Sequence, residues 1–182
     1  MSRHGYTDDC EDVLAAGRWE GALRSAIRGA RGQAMLRELA AALDAMPVRE
    51  LYAGVFASPD GEFCALGVLG TARGIDVSHL NPDREDEYLE GPTEPEHVAA
   101  VFGISPALAR EVMYRNDEIV DEHKWVRVEI CGPMRGYNAP RKLGREWPEF
   151  HMRSVRATIP DAPARRWRSV RAWVAKQIKD QS

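Results

Sequence analysis

Apolar residues recur about once per helical turn over 11–28, at Val13/Leu14, Trp19, Leu23 and Ile27, which predicts an amphipathic helix. Thr7, Asp8 or Asp9 can cap its start by accepting the unpaired amide hydrogens there. Gly29 and Gly32 interrupt the pattern. A second stripe, Leu36, Leu39, Leu43 and Met46, then predicts a helix over 33–46 that Pro47 closes. The period shortens at 51–57 and 63–69, two segments rich in β-branched and aromatic residues. They flank Ser58-Pro59-Asp60-Gly61, so a β-hairpin is expected. Residues 75–90 are polar and acidic and read as a loop with one short helical turn.

Thr93-Glu94-Pro95-Glu96 combines a cap, an early proline and a capping-box glutamate, and opens a helix ending at Phe102-Gly103. Ser105-Pro106 opens another that runs to Arg115. Residues 124–131 alternate, with Val126, Val128 and Ile130 on one face and Trp125, Arg127 and Glu129 on the other. A basic loop over 132–148 and a second strand within 150–159 follow. The last helix spans 163–179, with Trp167, Val170, Val174 and Ile178 as its stripe; Trp173 falls off that stripe and reads as an exposed partner-binding anchor. The expected class is α+β, helices packed with a small antiparallel sheet and a helix-turn-helix-like corner at 93–115. Residues 1–182 read as one domain, with 121–160 an insertion carrying a strand pair and a basic loop.

The chain's 182 residues suffice to bury roughly two-thirds of the unfolded surface without a metal or a disulfide. Cys10, Cys64 and Cys131 are odd in number and widely spaced, which fits a reducing compartment. The first residues lack the apolar run of a signal peptide, and no segment reaches membrane-spanning length, so a cytoplasmic protein is expected. Charge is divided along the chain. Residues 1–130 hold 13 Lys/Arg against 24 Asp/Glu, a net of −11, whereas residues 131–182 hold 12 against 4, a net of +8. Such a split either compensates internally or presents a basic surface to an anionic partner.

The clearest local motif is 99–112. Ala99, Gly103 and Ser105 occupy the marked positions of a helix-turn-helix, and Ile104, Leu108 and Val112 fill the angle between its helices. On that reading Ser105, Ala107 and Arg110 face the bases. Charge opposes it: residues 93–122 carry two arginines against seven carboxylates, a net of −5, and duplex affinity rests on cations. Arg24, Arg28 and Arg31 form an anion-site candidate beside the glycine break. Arg141, Lys142 and Arg145 in the loop, with Arg165, Arg166 and Arg168 on the last helix, form a basic candidate for nucleic acid or an acidic partner. His4, Asp8, Asp9, Cys10, Glu11 and Asp12 supply ligand types but no zinc or calcium spacing, so no metal, and no cofactor, is expected. No cysteine or serine sits in a recognised catalytic sequence, and no catalytic residue is assigned.

Three stretches together, 2–10, 27–33 and 39–47, carry a resemblance. Val68-Leu69-Gly70-Thr71-Ala72-Arg73-Gly74-Ile75-Asp76, residues 102–118 and residues 167–178 extend it. The chain resembles an uncharacterised family of small bacteriophage and prophage proteins over 2–118 and 161–179, with 121–160 less typical. The resemblance implies a phage or prophage setting inside a bacterium and supplies no activity, ligand or catalytic residue. The expected function is a non-enzymatic macromolecular binding protein, an accessory factor acting on a host or phage component. A host or phage protein is the favoured partner and nucleic acid the alternative. A DNA-binding regulator using 99–112 is the second reading, and a small hydrolase or nuclease the third.

Overall fold

A computed structural model describes residues 13–81, 95–129 and 152–179. Among them lie six α-helices, a 3-10 turn at Ser78–Leu80 and a two-stranded antiparallel sheet, an α+β protein. The chain divides into two compact units, Met1–Val120 with Asp161–Ser182, and Asp121–Pro160.

In the first unit, α1 (Val13–Arg28) and α2 (Ala30–Asp44) are joined by Gly29 alone. The close return requires Gly32, because a Cβ there would lie 2.0 Å from the Ala26 carbonyl oxygen. Helix α2 buries Met35, Leu36, Leu39 and Leu43 almost completely and packs on α1, on α3 (Ala65–Ala72) and on α6 (Ala162–Gln177). Each such leucine contributes roughly 1.5–3 kcal/mol of transfer free energy, so this stripe anchors the core. Helix α5 (Pro106–Asp117) packs on α1, α3, α6 and on α4 (Pro95–Phe102). Gln33 ties the corner together. Its Nε2 donates to the Ile27 and Gln177 carbonyls, both at 2.8 Å, and its Oε1 accepts from the Lys179 amide at 2.8 Å.

The hairpin expected at 51–57 and 63–69 does not form. The turn between them does: the Gly61 amide bonds to the Ser58 carbonyl, and Gly61 has φ +80°. Beyond it a single bridge, Ala57 to Phe63, gives way to helix α3. Eight residues are too few for a helix to hold itself in water, so packing sustains α3. Residues 64–70 are all buried, and a Cβ on Gly67 would lie 1.7 Å from the Phe56 carbonyl oxygen. A helix apolar on every side belongs in the interior.

The sheet belongs instead to the second unit. Strand β1 (His123–Glu129) pairs with β2 (Met152–Thr158), Trp125 opposite Arg156 and Val126 opposite Val155. The Ile159 amide closes its open end on the Glu122 carbonyl at 2.7 Å.

Candidate functional site

The glycine-turned corner forms. The Ile104 amide bonds to Ala99 O at 3.0 Å and Gly103 takes φ +67°, which caps the end of α4. Ser105 then caps α5, its Oγ accepting from the Leu108 amide at 3.2 Å. Leu108, Ala109, Val112 and Met113 face the core. Of the three residues expected to read bases, Ser105 is used as a cap and Ala107 packs partly against the core. Arg110 points outward, half-exposed, on a face shared with Pro106, Tyr114 and Glu118. One arginine beside a carboxylate gives that face little attraction for phosphate.

The basic candidates on α6 separate. Arg165 and Arg168 are exposed. Arg166 is fully buried, and its Nη1 donates to the Leu51 carbonyl at 2.8 Å, so it is a structural residue and not a surface cation. Trp173, expected in solvent, is buried at 9% exposure. Both corrections have one cause. The buried stripe of α6 is Ala162, Arg166, Val170, Trp173 and Val174, spaced by three and four, so the helix is rotated from the expected Trp167-centred face. Arg24, Arg28 and Arg31 are exposed, and Arg24 pairs with Glu20 at 2.7 Å on its own helix. Arg141, Lys142 and Arg145, the acidic N-terminal group, Cys10 and Cys131 lie outside the described residues.

Helices α1, α5 and α6 enclose a cleft of about 340 Å³ with Trp19, Leu23 and Trp173 in its walls. Its charges answer one another. Arg115 Nε donates to the buried Glu111 at 2.9 Å while the guanidinium lies 5.7 Å from the Trp173 ring centroid. Arg24 and Glu20 pair at the rim.

A buried polar cluster went unseen in the sequence. Asn116 Oδ1 accepts from the Ala65 amide at 3.0 Å, and its Nδ2 donates to Tyr52 O and Asp117 Oδ1, both at 2.8 Å. Asp117 also accepts from the Gly54 amide at 3.1 Å. Burial pushes the Asp117 carboxyl above its usual value, outweighing these hydrogen bonds and the nearby Arg166 charge. Burial likewise pushes the Cys64 thiol up to about 12, and its Sγ accepts the Gly67 amide as the cap of α3. A protonated thiol is no nucleophile at neutral pH. Elsewhere, His79 and His97 meet edge to face with centroids 6.0 Å apart, and no three ligating side chains converge among the described residues.

The sheet presents a different surface. Directly opposed residues of an antiparallel pair share a face, so Trp125 stands with Arg156, flanked by His123 and Arg127 two positions away. Trp125 is 75% exposed, the most exposed of the large apolar side chains described. Arg156 Nη2 donates to His123 Nδ1 at 3.1 Å. Among the described residues, no carboxylate pairs with Lys124, Arg127, Arg153 or Arg156. The alternation around Trp125 was legible in the sequence; that its face stays uncovered was not.

These features define an α+β protein with one closed helical core and one exposed aromatic, cationic sheet face. Compared with family models, with curated proteins and with solved structures, the chain matches none. No described helix is long and apolar enough to cross a membrane.

Proposed function

We propose that the protein is a non-enzymatic macromolecular binding protein that holds an anionic partner on the Trp125 face of its two-stranded sheet. One observation carries this reading: a tryptophan 75% exposed, with Arg127 and Arg156 on the same face, Glu129 one pleat repeat beyond Arg127, and neither arginine in a described ion pair. An exposed large aromatic among cations is a recurrent contact anchor, since it buries much area at little loss of rotamer freedom. The helical unit offers weaker support for binding, because Arg24, Arg73, Arg115 and Arg171 already meet Glu20, Glu38, Glu111 and Asp44, and its exposed Arg28, Arg31, Arg165 and Arg168 have no exposed large aromatic described with them. The phage or prophage setting, and with it a bacterial cytoplasm, is part of the proposal and is supported by the resemblance of 2–118 and 161–179 alone.

The test is comparative capture from bacterial lysate. Wild type and the triple variant Trp125→Ala/Arg127→Ala/Arg156→Ala are immobilised, and the retained material is treated with nuclease or protease. Wild type is expected to retain a macromolecule that the variant loses. Equal retention by both proteins overturns the reading.

A second reading, a duplex-DNA regulator using the α4–α5 corner, is favoured by the glycine-turned geometry at Gly103 and the outward Arg110. It requires sequence-selective duplex binding that relaxes in Arg110→Ala.

A further inference from the structure

The sheet face also limits what kind of partner it can hold. Two seven-residue strands present roughly 250 Å² on one side. A stable protein interface buries about 800 Å² of accessible surface per partner, so a protein partner would have to reach well beyond these two strands. A single strand of nucleic acid needs only a narrow track: a flat ring for a base and cations for the phosphates beside it. The face supplies both. Trp125 offers an open indole, Arg156 lies directly across from it, and Arg127 lies one pleat repeat, about 7 Å, along the strand. His123 accepts a hydrogen bond from Arg156 at 3.1 Å, which keeps that guanidinium on the same face of the sheet as the indole. Duplex DNA fits less well, because its bases are already stacked and a lone indole reaches their faces only by unstacking a step.

We infer that the β1–β2 face binds single-stranded nucleic acid, one base stacking on Trp125 while adjoining phosphates meet Arg127 and Arg156. The inference rests on the proposal that this face is the contact surface. It takes the partner's chemistry to be a polyanion with exposed planar bases, recognised without strong sequence preference, since every base has a stacking face.

Full-length protein is titrated against dye-labelled single-stranded DNA, single-stranded RNA and duplex DNA, each about a dozen nucleotides long, across a salt series. The expected order is single strands, DNA or RNA, tighter than duplex. Trp125→Ala is expected to weaken single-strand binding about tenfold, and Trp125→Phe to retain most of it because the ring is kept. Arg127→Ala/Arg156→Ala is expected to lower the salt slope by about 1.4, two phosphate contacts at roughly 0.7 each. Unfolding midpoints equal to wild type in all three variants ensure that the losses are contact losses, as solvent-exposed positions predict. Duplex binding equal to or tighter than single-strand binding overturns the inference, as does affinity unchanged in Trp125→Ala. If no oligonucleotide binds while the triple variant still loses a nuclease-resistant partner from lysate, the single-strand inference falls and the contact-surface proposal stands. If neither occurs, both fall.

Discussion

Arg166 and Arg127 are both arginines on regular elements, one on α6 of the helical unit and one on β1 of the sheet unit. Arg166 has no exposed surface and donates to the Leu51 carbonyl; Arg127 is exposed and meets no described carboxylate. A tryptophan on each element follows suit, Trp173 of α6 buried in the core and Trp125 of β1 in solvent. In the helical unit, Arg166 and Trp173 are parts of the scaffold, while Arg165 and Arg168 on the same helix face solvent. In the sheet unit the same residue types stand uncovered. Net charge along the chain does not separate these roles; packing does, because a cation turned inward must be hydrogen-bonded and one turned outward is available to a ligand.

The sharpest way to break this contrast is to exchange the partners of α6. Arg166→Leu is expected to destabilise by about 3–5 kcal/mol, since it leaves the Leu51 carbonyl and the half-buried Asp117 without their cation. Arg165→Leu, one residue away and exposed, is expected to change stability by no more than about 0.5 kcal/mol. Denaturant unfolding of both variants checks the pair, and equal losses would erase the distinction between scaffold and surface arginine. Next in size is the corner. Gly103→Val places a β-branched residue at φ +67° and is expected to lose about 1–2 kcal/mol by thermal unfolding, although a Cβ there meets open space.

Much of this was readable beforehand. Helices α1, α2, α4, α5 and α6 and both strands lie within a few residues of the periodicity that announced them. The Gly103-Ile104-Ser105 turn carries the chemistry its residues imply. The failure at 63–69 is physical. A run apolar on every side has no period, so strand and helix look alike until neighbours decide. Here Gly67 admits the Phe56 backbone and Cys64 supplies a cap that its side chain seldom signals. Arg166 was decipherable in principle: it lies four and eight residues before Val170 and Val174, on their stripe, but its charge argued the other way. Asn116 and Asp117 gave no signal, because the groups they bind, Ala65, Tyr52 and Gly54, lie more than fifty residues away in sequence.

Acid titration sharpens the comparison within the helical unit. Asp117 is raised chiefly by burial, so the native state holds its proton more tightly than the unfolded chain does. Stability from this group is greatest below the ordinary carboxylate value of about 3.9 and falls as pH rises through the raised native value. Asp44 is the opposite case. Its hydrogen bonds from Arg171, at 2.8 and 2.7 Å, lower it, so its contribution is present above about 3.9 and is lost as pH falls through the depressed native value. The stability difference between wild type and Asp117→Asn should therefore decline with rising pH, and that between wild type and Asp44→Asn should climb. Unfolding series from pH 2 to 7 read both signs. The smallest expected effect is in the sheet: Trp125→Ala should shift stability by about 0.5 kcal/mol or less, while removing the exposed indole. A larger loss would make Trp125 a packing residue and close the gap between the two units.

The reach of Gln33 to Gln177 and Lys179 has a consequence for how the chain is made. Helix α6 supplies Val170, Trp173 and Val174 to the core that α1 to α5 begin. On a translating ribosome those five helices emerge first, and the forty residues of Asp121–Pro160 must be synthesised before α6 appears. At about 5–20 residues per second the delay is roughly 2–8 s. Throughout it the nascent helical unit carries an apolar groove along α2 and α5, waiting for a lid that has not yet been translated. A ribosome paused near codon 160 would prolong that state, so the pace of translation through the sheet unit sets how long the core waits for its last helix.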